Sequence, residues 1–305
     1  MTTLVTFRRA TAPLAGRYVQ CTGDSSGNST TTIVVAGLKT VSTATELYTD
    51  YYVYLPAASA ADKIRQVSSF APTSGTLTID RAYSSSSVPN SKAVELHGIL
   101  QPFSDDLTAY SWSDAINDSL KRLWLPTEFT LTPTVDAIRH SLSSISWVTS
   151  ENQILDVGYL GTNETRAKVD PYENRRVRGE LERDGVTLYL KHRYRTFAST
   201  DTIYVRAAKR AYDHCKPTAG AYGDQSGLAL ETDEAPVPVD VVKWGALVEA
   251  ARNLRNDLND AAADHVLSHQ AEWSRLFTNA MRIYQQRLPQ QRFKRQRLFW
   301  VDRKF

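Results

Sequence analysis

The amino-acid sequence predicts an α+β protein, in which an N-terminal all-β sandwich or barrel domain is followed by a helical-bundle domain carrying a β-rich insertion. Short runs rich in Val, Ile, Thr and Tyr, separated by turn-forming residues, fill residues 1–103. Apolar residues at three-and-four spacing, the pattern of a buried helix face, extend over residues 236–289. A second group of β patterns lies between two helical patterns, at residues 127–235.

The composition is typical of a soluble globular protein, with 42% hydrophobic and 23% charged residues among 305. The two cysteines, Cys21 and Cys215, are too few for a disulfide framework and fit no metal-binding pattern, which favours a reducing compartment. No apolar run approaches the roughly 20 residues of a membrane-spanning helix. We therefore expect no membrane partner.

The N-terminal domain is predicted to span residues 1–103 and to contain six strands, at 16–21, 30–36, 48–55, 63–70, 76–80 and 93–100. Turns rich in Gly, Ser and Pro separate these strands, as in a small sandwich or barrel. The loop at 23–30 lacks the Gly-Lys-Ser/Thr ending of a phosphate-binding loop, so nucleotide binding is not expected there. Pro102 and the polar residues after it mark the boundary with the second domain.

The second domain, residues 104–305, begins with a helix predicted at 107–125. Pro126 ends this helix, and its apolar residues share one face: Trp112, Ala115, Ile116, Leu120, Leu123 and Trp124. The β insertion at 127–235 contains six predicted strands, at 128–132, 137–142, 153–160, 177–183, 186–193 and 202–208. Asp184-Gly185 suits a tight hairpin turn between two of them.

Long helices are predicted at 239–288, between the prolines Pro236 and Pro289, with Asp240 as a cap. The predicted packing and assembly residues are the large apolar ones on the buried faces of the helices: Leu247, Leu254, Trp273, Phe277, Trp112 and Trp124. The apolar face is broader than the helix at 107–125 alone can cover. It therefore needs a further helical partner, either within the chain or on a neighbouring subunit.

The C-terminal arm, residues 289–305, is basic and aromatic. Seven basic residues and one acidic residue lie in 286–305, whereas the rest of the chain has 29 basic and 32 acidic residues. The predicted docking residues are its basic and large apolar side chains: Arg292, Phe293, Lys294, Arg295, Arg297, Phe299 and Trp300. Such residues can neutralise phosphates and stack on bases, or can anchor an arm in an acidic, apolar groove of another protein. Docking is favoured, because the body of the chain shows no matching basic face.

The chain carries few patterns that indicate chemistry. His265 and His269 are four residues apart on the predicted helix, but no third metal ligand is evident. His214 and Cys215 have the residue types of a base and a thiol nucleophile without an orienting group. Glu231, Asp233 and Glu234 are most simply explained as a solvated loop. The sequence therefore predicts no catalytic residue, no metal and no cofactor, and a protein that is not an enzyme.

Two segments resemble a known family. They are the helix DAINDSLKRLWLP at 114–126 and the proline-bounded helix EAPVPVDVVKWGALVEAARNL at 234–254, which are followed by a long final helix and a basic arm. In this order of parts the chain resembles the head-to-tail adaptor, or connector, proteins of tailed bacteriophages over roughly residues 104–305.

The resemblance implies a structural virion protein at the neck that is made in the host cytoplasm. It implies a homo-oligomeric ring, dodecameric in this family, beneath the portal protein. The C-terminal arm would dock into the portal, and the opposite face would receive tail or nozzle proteins. DNA would have a route through the ring lumen.

Two alternatives belong to other functional classes. Residues 1–103 lie outside the resemblance and could form the binding domain of a tail-associated carbohydrate-binding protein. A polysaccharide-degrading enzyme also remains open, because the two carboxylates of a glycosidase need not be close in sequence.

Overall fold

The computed structural model describes residues 2–40, 44–58, 62–103, 110–135, 137, 139–143, 145, 147–148, 153–160, 179–184, 187–192, 197–254 and 261–287. These residues form a mixed α+β protein, as the sequence predicts. The helices are α1 (Leu4–Ala15), α2 (Trp112–Lys121), α3 (Val239–Leu254) and α4 (Ala261–Arg287). The strands of the first half are β1 (Thr2–Thr3), β2 (Tyr18–Thr22), β3 (Thr32–Val34), β4 (Tyr52–Tyr54), β5 (Ile64–Ala71), β6 (Thr76–Ile79) and β7 (Ala93–His97). Those of the second half are β8 (Trp124–Leu131), β9 (Arg139–Ser141), β10 (Ile154–Leu160), β11 (Gly179–Asp184), β12 (Thr187–His192), β13 (Thr202–Arg210) and β14 (Glu234–Ala235).

The chain divides into two compact units at positions that differ from the predicted domain boundaries. Unit 1 comprises Met1–Lys121 with His214–Met281, and unit 2 comprises Arg122–Asp213 with Arg282–Phe305. The predicted boundary at 103/104 falls inside unit 1, where helix α1 packs against α2 and α3 and joins the start of the chain to the helices. The predicted end of the insertion at 235 also falls inside unit 1, where β14 pairs antiparallel with β1.

A six-stranded antiparallel sheet in unit 1 has the order β2-β7-β4-β5-β6-β3. Each of its strands lies within or close to one of the six runs predicted for residues 1–103. Alternate residues of the strands face one apolar core, in which Ile33, Val53, Leu77 and Leu96 have no exposed surface. A register shift between Val67 and Ser69 marks a bulge in β5, the strand that pairs with both β4 and β6.

Helix α1 corrects the all-β prediction for residues 1–103. Thr3 caps it by accepting a hydrogen bond from the Thr6 amide, and Gly16 ends it with a φ of 84°. One face of the helix is buried, with Leu4, Phe7, Arg8, Thr11, Ala12 and Ala15 on it. The two arginines and β-branched residues of this segment concealed its helical period.

Helix α2 is shorter than the predicted helix at 107–125. It ends at Lys121, and Trp124 and Pro126 belong to β8 instead. Proline is tolerated there because β8 lies at the edge of the sheet β10-β13-β8, where one side of the strand needs no ladder hydrogen bond. Within the helical layer formed by α1, α2 and α3, the Ser119 hydroxyl of α2 donates to the Val242 carbonyl of α3 at 3.3 Å.

Unit 2 contains two three-stranded sheets, β10-β13-β8 and β11-β12-β9. All six strands predicted in the insertion are found. Strands β11 and β12 pair antiparallel as predicted, but Asp184 is the last residue of β11 and pairs with Thr187 rather than lying in the turn; residues 185–186 lie outside the described residues. Its apolar core includes Leu190, Phe197, Ile203 and Val205.

The long C-terminal helices are confirmed as α3 and α4, with residues 255–260 between them outside the described residues. The C-terminal arm, 289–305, also lies outside them. No helix of the described residues is long and apolar enough to cross a membrane.

Candidate functional site

Five of the six predicted packing residues are buried: Trp112 on α2, Leu247 and Leu254 on α3, and Trp273 and Phe277 on α4. Helices α2 and α3 pack against α1, a helix that the sequence does not reveal, and Phe277 of α4 lies close to Gly245 of α3. Gly245 permits the close approach of the helices. A Cβ placed there would lie 2.1 Å from Ser119 Oγ of α2 and 2.8 Å from Phe277 Cε2 of α4.

Trp124 is the exception among these residues. It begins strand β8, its side chain is 42% exposed, and its ring lies 5.3 Å from the Arg210 guanidinium on the neighbouring strand β13. It is therefore not part of the helix packing. The docking residues of the arm, from Arg292 to Trp300, lie outside the described residues.

Helix α4 has many exposed and half-buried side chains along its described length. Among the described side chains of α4, those of Val266, Trp273 and Phe277 are buried, and all three precede its last two and a half turns. Beyond them Met281 and Tyr284 are half-buried, and Ile283 is 45% exposed. The apolar pattern of α4 thus continues past the positions that pack in the core.

Three of the side chains weighed above as metal or thiol candidates, His269, His214 and Cys215, stack on aromatic rings or are buried. His269 stacks on Trp273 with ring centroids 5.8 Å apart, and the side chain of His265 is not among those described. The described residues include no group of three or more His, Cys, Asp or Glu side chains that could hold a metal ion. His214 stacks on Tyr222, and burial leaves Cys215 without exposed surface.

A buried ionic hub connects α1 to the six-stranded sheet and to the loop that precedes α3. Six side chains form it: Arg8 and Arg9 of α1, Lys63, Glu95 and His97 of the sheet region, and Glu231 of the loop. Arg8 Nη2 lies 3.2 Å from Glu95 Oε2 and 2.9 Å from Glu231 Oε1, so one guanidinium nitrogen bridges both carboxylates. Arg9 Nε donates to Glu95 Oε1 at 2.7 Å.

Aromatic rings complete the surroundings of Arg8. Its guanidinium carbon lies 4.5 Å from the centroid of the Tyr54 ring and 5.0 Å from that of Phe103. Cation–π contacts of this kind gain strength when water is excluded. Arg8 and Glu95 have no exposed side-chain surface, and Glu231 keeps only a minor exposed fraction.

The hub holds Glu95 ionised. Burial alone would raise the pKa of this carboxyl, but the hydrogen bond from His97 and the positive charge of Arg8 lower it to about 2. Burial lowers the pKa of His97, so this imidazole is neutral and donates its Nε2 proton to Glu95 at 3.4 Å. Burial also raises the pKa of Tyr18, whose ring packs on His97, to about 12.

The pairing of Glu95 and Glu231 by one arginine superficially resembles the carboxylate pair of a glycosidase. A glycosidase acid must be protonated and must reach the glycosidic oxygen. Glu95 is ionised and has no exposed surface. In this conformation the pair therefore acts in packing rather than in attack on a glycan.

The carboxylates expected in a solvated loop are instead structural. Asp233 is fully buried, and one of its oxygens, Oδ2, accepts hydrogen bonds from the Ala229 and Leu230 amides and from Gln225 Nε2. Its Oδ1 accepts from the Thr218 amide at 3.1 Å. Burial would raise the pKa of Asp233, but these hydrogen bonds lower it. Asp233 thus organises the loop between β13 and α3.

Sequence reasoning missed Arg8, Glu95 and His97, since their partners are remote along the chain. Arg8 is separated from Glu95 by 87 positions and from Glu231 by 223. The available signal was weak: charged residues on the otherwise apolar strand β7, and two adjacent arginines in an apolar N-terminal segment.

Comparison with known proteins adds no relative. A scan against protein-family models, a search of curated proteins and a search of solved structures each find no match to this chain. A functional proposal therefore depends on the chain's own residues and on the resemblance of pattern given above.

Proposed function

We propose that this chain is a non-enzymatic structural subunit of a bacteriophage neck ring, a head-to-tail adaptor that self-assembles and docks its C-terminal arm into the portal protein. The observation that carries the proposal is the end of α4, where Ile283 is 45% exposed and lies beyond Phe277, the last buried residue among the described side chains of that helix. A single exposed apolar residue is ordinary on a protein surface. Here it lies six residues before an arm rich in arginine and aromatic residues, which are the residue types of binding hot spots.

In this proposal α4 has two roles along its length. Trp273 and Phe277 hold it to its own chain, while the apolar residues near its C-terminal end contact the neighbouring subunit. A ring is built from one repeated heterologous contact, so a modest apolar strip on each subunit is used as many times as there are subunits. The arm then provides the attachment to the portal, with tail or nozzle proteins on the opposite face.

The test is the oligomeric state of the full chain, measured by native mass spectrometry and by negative-stain microscopy. We expect closed rings for the native sequence. Ile283→Glu places a charge in the proposed contact and should give monomers with an unchanged helical signal. Asn279→Glu is the control, because Asn279 is also exposed on α4 and lies one turn earlier.

Two results would overturn the proposal. One is a native chain that stays monomeric at every concentration that can be measured. The other is a ring that assembles equally well with Ile283→Glu. A ring lost equally in both variants would show that charge anywhere on α4 is harmful, and would remove Ile283 from the contact.

A further inference from the structure

The side of the six-stranded sheet that faces α1 is polar. On β7, Val94 and Leu96 point into the apolar core, so Glu95 and His97 point to the opposite side. The neighbours of these two residues across the strands are also polar or aromatic: Tyr54 and Tyr52 on β4, and Gln20 and Tyr18 on β2. This arrangement is unusual for a sheet covered by a helix, where apolar contacts normally predominate.

The contacts that join α1 to this side of the sheet are charged. Arg8 and Arg9 both bind Glu95, and the Arg8 guanidinium lies over the Tyr54 ring. The apolar residues of α1 are buried as well, but the apolar core of the six strands includes no residue of α1. Helix α1 packs mainly against α2 and α3, and makes fewer contacts with β2 of the sheet.

A charged contact of this kind differs from an apolar one in how easily it separates. Buried ion pairs gain little net stability over the hydrated, separated charges, because the cost of removing both from water is comparable to their attraction. Arg8 Nε, Arg8 Nη1 and His97 Nδ1 are buried and make no hydrogen bond to any described residue. Separation would let water reach these atoms, which favours the open form.

The backbone that connects α1 to β2 is strained, and relief of this strain also favours the open form. Gly16 and Arg17 both have positive φ values, of 84° and 50°. A left-handed conformation is unfavourable for arginine. Separation of α1 from the sheet gives Arg17 the freedom to leave this conformation.

We propose that the ionic hub is an acid-released latch, whose release frees α1 from the polar side of the sheet and loosens α1 and β7, while α2 and α3 keep their fold. The charged and titratable groups that face one another across the latch are Arg8 and Arg9 from α1, Glu95, His97, Tyr18, Tyr54 and Lys63 from the sheet region, and Glu231 from the loop.

The direction of the pH effect follows from two of these groups. Burial lowers the pKa of His97 below its ordinary value of 6.5, so as pH falls below that value the open form binds a proton that the closed form excludes. Hydrogen bonding and charge lower the pKa of Glu95 from 4.5 to about 2, so the open form binds a second proton below pH 4.5. Both groups favour opening in acid, by up to about tenfold per pH unit for each proton.

Hydrogen–deuterium exchange of the full chain, measured peptide by peptide between pH 7.5 and 4 and corrected for intrinsic exchange, tests this latch. We expect peptides of β7 and of α1 to lose protection as pH falls below about 6.5. Peptides of α2 and α3 should keep theirs over the same range. Loss of protection in α1, β7, α2 and α3 together, or in none of them, would overturn the proposal.

Two variants identify the groups that respond. Glu95→Gln and His97→Gln each remove one titrating group while keeping a polar side chain, and each should flatten the pH dependence of exchange in its own range. Asp62→Asn is the control, because Asp62 forms another buried ion pair, with Arg65 at 2.6 Å, that does not involve α1. His97→Gln suffices if Glu95→Gln fails to fold. An unchanged pH profile in the His97 variant, or the same flattening in the control, would refute the latch.

Discussion

Gly245→Ala is the most direct test of how closely the helices pack in unit 1. The added methyl carbon would lie 2.1 Å from Ser119 Oγ and 2.8 Å from Phe277 Cε2, and carbon atoms in folded proteins do not approach this closely. Both neighbours must therefore move. Ser119 can rotate its hydroxyl away, but it then loses the hydrogen bond to the Val242 carbonyl.

The expected magnitude combines one favourable and two unfavourable effects. Overpacking of a filled interior costs about 1–3 kcal/mol. The lost hydrogen bond costs about 1 kcal/mol. Alanine is favoured over glycine within a helix by about 1 kcal/mol. The free energy of unfolding should therefore fall by about 2 kcal/mol, although helix propensity alone would predict an increase.

Urea unfolding followed by circular dichroism at 222 nm measures this change, with the slope checked against the native chain. Ser119→Ala provides the matched second variant, because it removes the nearest clashing atom. The double variant should be more stable than the two single effects added together, by about 1 kcal/mol. The close approach of α2 and α3 would be refuted if the Gly245→Ala variant were as stable as the native chain. It would also be refuted if the effects of Gly245→Ala and Ser119→Ala on the free energy of unfolding were additive.

Two further outcomes are expected. Asp233→Asn should loosen the loop before α3, at a local cost of about 2–3 kcal/mol, because several donors lose a charged acceptor. Chymotrypsin should then cleave after Tyr222 faster than in the native chain. Asp224→Asn is the control and should change the rate little, because it weakens only one hydrogen bond, which Asp224 accepts from the Ala221 amide. Equal cleavage rates in all three proteins would show that Asp233 does not hold the loop. Deleting residues 290–305 should leave the helix and strand signals in the circular dichroism spectrum unchanged and should abolish co-sedimentation of the protein with tailless capsids. Co-sedimentation that persists unchanged would contradict the proposal that the arm docks into the portal.

The strands could be predicted from the sequence because their signals are local. Runs of β-branched and aromatic residues between turn residues located all twelve strands from β2 to β13, and Asp184-Gly185 indicated the antiparallel pairing of β11 with β12. The shortest strands, β1 and β14, have no such signal. Each consists of two residues and exists because it pairs with the other across the chain.

The errors arise where tertiary contacts override local pattern. The sequence does not indicate helix α1, because Arg8 lies on its buried face and interrupts the apolar pattern that would reveal that face. The carboxylates that bind the Arg8 guanidinium, Glu95 and Glu231, lie far along the chain. Helix α2 was extended to residue 125 because Leu123 and Trp124 continue its apolar period. Pairing of β8 with β13 takes precedence there, with Trp124 opposite Arg210.

The division of unit 1 into Met1–Lys121 and His214–Met281 has a consequence for the order in which the chain folds during synthesis. All of the described strands of unit 2 are made before α3 emerges, so its sheets can form while unit 1 still lacks part of its helical layer. At about 5–20 residues per second, roughly 10–50 seconds pass between the synthesis of α1 and that of α3. During that delay the face of α1 that packs against α3 is exposed to water. Because Arg8 lies in the middle of this face, the nascent chain is less prone to aggregate than one with an uninterrupted apolar surface.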